Sequence, residues 1–353
     1  MSLQESLRYE QISAKAYEHP ADRAATAALR SIPLMDKAVK LLSDLGIERL
    51  VRQLLVGQAV EVSDKQIPQL WARHVRAASV LDIDRVPELF VTQTPFVNAA
   101  TFGAKRPMVI VLSGLVRDYT GSEVDVVLAH EMGHVLSEHY YYRTALFVLQ
   151  EIIRNTTGVG TFLPGIPVRA IYLVLLEWWR TAELSADRAS ALVAGDPLST
   201  CQMLMRLAGG ALEGMSLDAF LAQAARYEDE EDVYARWARS WYVAERAAHP
   251  FPVKRARELM SWVSDGSYDR VRGGVYVRRG QEPPVTREFD AAVEHYQERF
   301  LKILGVAAGG AERFLGQLEE WLRGQQPPSG KEAGGNGPGA GSGGRGGTKG
   351  RRT

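Results

Sequence analysis

The chain has 353 residues, 46% hydrophobic and 24% charged, with 42 Lys and Arg against 42 Asp and Glu. The apolar fraction is enough to bury a core, and the zero net charge excludes a protein built chiefly to grip nucleic acid or an anionic membrane surface. The single cysteine, Cys201, excludes an internal disulfide and any multi-cysteine metal site, and fits a reducing compartment.

Met1–Pro20 carries Glu5, Arg8 and Glu10 and no apolar run, so it does not read as a signal peptide, and the expected location is cytoplasmic. From Asp22 to Leu55 the apolar residues recur at helical spacing, as in Leu34, Ala38, Leu41, Leu42 and Leu45 before Gly46. Ala59–Val62 is a short β-like run, and Gln69 to Val80 is again helical. Glu88–Thr92 and Met108–Leu112 are β-branched, apolar runs expected to be adjacent strands of a small sheet. Ser122 to Tyr141 predicts a helix with Ser122 as N-cap. Residues 143–179 read as an apolar helix–loop–helix, interrupted by Arg143, Glu151, Arg154 and Arg169 and by the Gly- and Pro-bearing stretch Gly158–Pro167. It is too broken to span a bilayer. Such a hairpin can pack on the core, or it can touch a membrane surface or shape a substrate groove. Trp178–Val193 predicts another helix, followed by helices through residues 198–248 and at Val253–Val263. Tyr268–Gly280, with Gly273 and Gly274 in its middle, reads as a turn or small hairpin. Helices at Glu288–Leu304 and Ala311–Leu322 close the body. Gly324–Thr353 holds 12 of the 33 glycines and a net charge of +4, leaving −4 on the remainder; it reads as a disordered basic tail. The expected organisation is an N-terminal helical region (1–85), a core (86–265), a C-terminal helical extension (266–323) and the tail (324–353).

The chemistry concentrates at Val127-Leu128-Ala129-His130-Glu131-Met132-Gly133-His134. Two histidines four apart on a helix lie about 40° apart around its axis, so their rings face one way and suit two zinc ligands. Glu131, between them, can act as general base on a water that zinc makes acidic, the HExxH pattern. A catalytic zinc needs a third protein ligand and an open position. Ser137 and Tyr140 stand where a metzincin has glycine and histidine, which excludes that class. His139, nine residues past His130, falls on the opposite side if the helix continues and reads as packed or solvent-facing. His19, His74 and His295 have no supporting neighbours.

The better third ligand is Glu183, in Thr181-Ala182-Glu183-Leu184-Ser185-Ala186-Asp187. Glu183 and Asp187 share one helix face. Alone they read as an acidic surface paired with Arg180 and Arg188. Behind the HExxH helix they read as a ligand and a carboxylate that holds a ligating imidazole in one tautomer.

HEMGH at His130–His134 followed by ELSAD at Glu183–Asp187 resembles the HtpX / CAAX-prenyl-protease-like family of gluzincin-type zinc metallopeptidases. Asn98-Ala99-Ala100-Thr101-Phe102-Gly103, the following MVIVLSGLV (Met108–Val116) and His249-Pro250 with Arg255 resemble further motifs of that family, so the likeness runs from about Leu34 to Val263. It implies an α+β, mostly α-helical fold: a zincin-like metallopeptidase core with a small β-sheet edge beside the HExxH helix. It implies one Zn2+ per chain held by His130, His134 and Glu183, Glu131 as the base, and a sheet edge at Asn98 and Ala99 that pairs with an extended substrate backbone. It sets His249 and Arg255 near the metal as catalytic groups that steady the oxyanion; Arg255 reads equally as a structural ion pair. The family's membrane spans have no counterpart in residues 135–182, so a soluble branch is expected.

The expected activity is zinc-dependent endopeptidase cleavage of extended or unfolded protein segments. An exopeptidase is a narrower alternative. A latent or regulatory scaffold binding partners through residues 143–179, also the candidate for peripheral membrane contact, is another. The expected partner is a protein or peptide substrate, with no nucleic acid.

Overall fold

A computed structural model of the chain describes residues 7–32, 35, 46–93, 99–155, 168–210, 212–227, 249–282 and 287–304. Residue 98, the 311–322 helix and the glycine-rich tail, all read from the sequence, lie outside these residues. The described part is α+β and mostly helical. Helices α1 (Pro20–Ser31), α2 (Ile47–Gln58) and α3 (Pro68–Val80) precede and interleave with strands β1 (Val60–Val62), β2 (Glu88–Thr92), β3 (Ala99–Phe102) and β4 (Met108–Leu112). Then follow α4 (Ser113–Asp118), α5 (Gly121–Leu136), α6 (Tyr140–Asn155), α7 (Val168–Ala194), α8 (Pro197–Gly209), α9 (Leu217–Arg226), α10 (Pro252–Ser264), α11 (Ser267–Arg272) and α12 (Arg287–Leu304). Proline opens α1, α3, α8 and α10, where its missing N–H has no helical partner to lose.

The four strands form one sheet in the order β1-β2-β4-β3. As the β-branched runs predict, β2 and β4 are neighbours; they are parallel, with Leu89 opposite Val109 and Val91 opposite Val111. The alternation of strand side chains separates two faces. Leu89, Val109 and Val111 enter the main core, while Phe90 and Met108 pack with Leu55 of α2 on the other face. β3 pairs antiparallel with β4 alone, at the sheet's edge.

The helix predicted from Ser122 to Tyr141 starts one residue earlier and ends five earlier. Thr120 is the N-cap, closing a capping box with Glu123. At the other end Glu138 takes a left-handed φ of 57°. His139 N–H donates to the His134 carbonyl and Glu138 N–H to that of Val135. This is a Schellman turn, built on a glutamate where glycine is usual, so the sequence carries little sign of it. The turn folds His139 back toward His134 and corrects the opposite-face reading.

The second helix expected within 143–179 and the helix expected at Trp178–Val193 are one, the 27-residue α7. Within it Glu177 lies between Arg180 at 3.2 Å and Arg299 at 2.8 Å. The apolar residues of α6 and α7 pack on each other and on α1 and α12 in a second core that includes Leu146, Leu175, Trp178, Leu29 and Phe300. Packing is therefore what these described residues of the 143–179 hairpin do. Among the described residues no helix is long and apolar enough to cross a membrane. The turn or hairpin expected at Tyr268–Gly280 is instead α11 followed by an extended stretch that pairs with the N-terminal segment: Ser13 N–H donates to the Val277 carbonyl and Arg279 N–H to that of Gln11.

The site is assembled where α5 crosses α7. A Cβ added at Gly133 would meet Ala189 Cβ at 2.7 Å and Ala186 Cα at 3.1 Å, so only glycine lets the two backbones come this close. Gly133→Ala is expected to cost about 1–3 kcal/mol by overpacking, read as a lower urea midpoint with unchanged m-value.

Candidate metal centre

The crossing brings His130 and His134 of α5 against Glu183 of α7. His130 Nε2 and His134 Nε2 are 3.2 Å apart. His130 Nε2 is 3.6 Å from Glu183 Oε2, and His134 Nε2 is 3.5 Å from Glu183 Oε1. A tetrahedral zinc with bonds of 2.0–2.2 Å separates its ligand atoms by about 3.4 Å; the two imidazole nitrogens are close to that spacing, and each approaches a different oxygen of Glu183. The group is a candidate cation site by the mutual closeness of its donors. Neither Glu183 oxygen has a partner in hydrogen-bond geometry, although both are buried. Buried carboxylate oxygens without aligned donors are costly, and a cation between the three side chains removes that cost. The donor set of two imidazoles and a carboxylate fits zinc.

The surrounding charges favour the ligating forms of Glu183 and His134, and the protonated form of His130. Burial would raise the Glu183 carboxyl, yet the charges of His249 and Arg255 and the close approach of both histidines hold it well below the usual carboxylate range. Burial opposes charge on His130, but its bonds to Asp187 and Glu183 prevail and lift its pKa to about 9. Burial, with the neighbouring His130 and His139 charges, drives His134 well below the ordinary imidazole value despite Glu183.

Asp187 lies one turn along α7 from Glu183. Its Oδ1 is 3.1 Å from His130 Nδ1. Arg255 of α10 donates to both its oxygens, Nε to Oδ2 at 2.8 Å and Nη2 to Oδ1 at 2.6 Å. Arg255 Nη1 is also 3.0 Å from Glu183 Oε2. The guanidinium is buried and its pKa is raised: burial works against it, and the two carboxylates more than compensate. The structural reading of Arg255 thus has its geometry. His249 is partly exposed, with Nδ1 2.9 Å from Glu183 Oε2 but out of hydrogen-bond alignment. The surface pairing of Glu183 and Asp187 with Arg180 and Arg188 is not found: both carboxylates are buried.

A small cleft of about 50 Å³ opens onto these groups, lined by Ala99, Glu131, Trp179, His249 and Arg255 among others. Glu131 lies at its wall, and the Thr101 hydroxyl of β3 donates to Glu131 Oε2 at 2.6 Å. Ala99 begins the same strand. Of the substrate-edge pair, Asn98 lies outside the described residues.

Four participants are not legible in the motif. Thr101 holds Glu131. Trp179 stacks on the His134 ring, centroids 4.5 Å apart and planes at 24°. The buried Arg143 guanidinium lies 4.0 Å over Trp179; burial lowers its pKa, with the Glu131 and Glu183 charges opposing. His139 Nδ1 sits 3.0 Å from His134 Nδ1. Burial opposes charge on His139, and the Asp22 carboxylate outweighs it. The signal for Thr101 was its place two residues after Ala99 on the same strand face. Trp179 and Arg143 come from helices, and His139 from the turn after α5, whose packing the sequence does not specify. His19 caps α1 through Nδ1, and His74 Nε2 is hydrogen-bonded at the Pro87 carbonyl, as structural histidines are.

Residues 63–263 match peptidase family M48. The chain is 34% identical over 261 residues to the plastoglobule-localized metallopeptidase 48, chloroplastic, of Arabidopsis thaliana, covering 72% of this chain and 74% of that protein. It is 27% identical over 170 residues to protease HtpX homolog 2 of Methanosarcina mazei, and 28% identical over 178 residues to the protease HtpX homolog of Moorella thermoacetica. These alignments cover 42% and 43% of this chain, and 58% of each relative. No solved structure matches the chain.

Proposed function

The chain belongs to peptidase family M48 and is a zinc metalloprotease acting on protein or peptide; on that premise we propose that it cuts internal peptide bonds of extended or unfolded segments, with one zinc held by His130, His134 and Glu183. The observation that carries this reading is the convergence of two Nε2 atoms and an unaligned, buried carboxylate beside Glu131 at the wall of a cleft. Zinc bound there supplies Lewis-acid polarisation and makes water acidic near neutral pH.

The protein's own residues do the rest. Glu131 takes the proton of the attacking water and passes it to the leaving amine. Thr101 occupies one Glu131 oxygen and so orients the other toward the cleft. His249 steadies the oxyanion from the cleft side. Arg255, engaged on three sides with Asp187 and Glu183, holds those carboxylates rather than the substrate. The β3 edge, with Asn98 and Ala99, takes the substrate backbone as an added strand, which suits an extended segment and not a folded one. Residues 86–265 form the catalytic core, and the expected location is cytoplasmic.

The purified chain incubated with a permanently unfolded protein should yield fragments cut at internal positions by mass spectrometry, with one zinc per chain. A chelator should stop cleavage and added zinc restore it. Stepwise loss from one terminus points to an exopeptidase instead. Stoichiometric zinc with no cleavage of any unfolded substrate favours the latent scaffold.

A further inference from the structure

We infer that Asp22 and His139 form a positioning pair for the metal ligand His134, so that helix α1, outside the family-matched residues 63–263, completes the metal centre. The inference rests on the reading of His134 as a ligand through Nε2.

With a cation on His134 Nε2 the geometry allows one consistent arrangement of protons, and it makes His139 neutral although Asp22 favours its charged form. His134 Nδ1 and His139 Nδ1 are 3.0 Å apart, so a single proton lies between them. A metal at His134 Nε2 needs the lone pair there, which puts the ring's proton on Nδ1. His134 then donates to His139 Nδ1, which must be the acceptor. His139 therefore carries its own proton on Nε2, and that atom faces Asp22 Oδ2 at 3.1 Å. Asp22 has no proton to give and is built to accept: the Ser185 hydroxyl donates to Oδ2 at 2.5 Å and the Thr26 hydroxyl to Oδ1 at 3.2 Å. Asp22 and His139 are both almost fully buried, at 1% and 2% exposure, so no water competes for these bonds. The order of donors, His134 to His139 to Asp22, runs away from the metal and fixes the His134 ring in its ligating tautomer.

Each candidate ligand histidine thus has a carboxylate behind it. For His130 it is Asp187, in direct contact. For His134 it is Asp22, acting through an interposed imidazole. α7 serves both: Glu183 and Asp187 turn toward the metal side, while Ser185 between them turns toward Asp22. With both ring nitrogens of His139 committed, His139 is a support and not a ligand.

The test is zinc affinity by chelator competition on the full chain, with thermal melting as a control for folding. His139→Phe keeps an aromatic ring but accepts no hydrogen bond. It is expected to weaken zinc binding by about 10–100-fold, the usual effect of losing such a support. His139→Gln, whose side-chain oxygen can accept from His134 Nδ1, is expected to recover much of that loss. A folded His139→Phe protein binding zinc within about twofold of the parent would overturn the inference. Long-range ¹⁵N NMR of the unmodified, zinc-loaded chain gives a reading that needs no variant: His134 protonated on Nδ1 and a neutral His139 protonated on Nε2 support the relay. A zinc-bound His134 Nδ1, or a His139 proton on Nδ1, overturns it. Failure of the ligand reading is separable: a His134→Ala protein that binds zinc as tightly as the parent overturns that reading and this inference with it.

Discussion

Glu131→Gln is expected to lower kcat on an unfolded substrate by about 10²–10⁴-fold, the range for removing a general base, while zinc content and thermal midpoint stay at parental values. The substitution exchanges one carboxylate oxygen for an amide nitrogen of the same size. The Thr101 hydroxyl that now donates to Oε2 at 2.6 Å can rotate and accept from that amide, so the local packing survives. What disappears is the ability to take a proton. The loss should fall on kcat with little change in KM, because Glu131 acts on the reacting water and not on the substrate's grip along β3. Activity within tenfold of the parent would remove Glu131 from the role of base.

Asp187→Ala is expected to destabilise the fold by about 3–5 kcal/mol, the cost of leaving a buried partner charge uncompensated. Both Asp187 oxygens are bound by Arg255, and one also faces His130 Nδ1. The variant leaves a guanidinium that is 7% exposed with Glu183 as its remaining carboxylate and removes the acceptor that orients the candidate ligand His130. Zinc affinity should fall about 10–100-fold in the same protein. The double variant Asp187→Leu with Arg255→Met removes both charges and should recover much of the stability but none of the zinc affinity. That split separates the role of the ion pair in the fold from its role at the metal.

The pH dependence has a defined sign. Burial would raise the Asp187 carboxyl, but Arg255 and His130 hold it below its ordinary value. Its contribution is therefore complete above the unfolded pKa of about 4 and is lost as pH falls through the lower folded value. Urea unfolding of parent and variant should differ fully at neutral pH and converge in acid. A gap that persists unchanged well below pH 4 would show that the deficit is not electrostatic.

Where local rules suffice, sequence and structure agree. The spacing of four put His130 and His134 on one face of a helix, and Glu183 and Asp187 on one face of another. The β-branched runs placed β2 and β4 side by side. Disagreement arises where a local signal is weak or overruled. α5 stops at Leu136 on a left-handed Glu138, a residue with no glycine to advertise the turn.

By itself, then, the sequence determined the type of chemistry: the residues able to hold zinc and the base between them, each a matter of residue type and helical period. Only the tertiary structure decided how that set is held. Gly133 had to meet Ala186 and Ala189 before the two helices could bring His130, His134 and Glu183 together. Thr101 had to arrive from a strand, Arg255 from a distant helix, and Asp22 from a helix more than a hundred residues before His139. Such contacts depend on which faces pack after long loops close, and no periodicity along the chain encodes them.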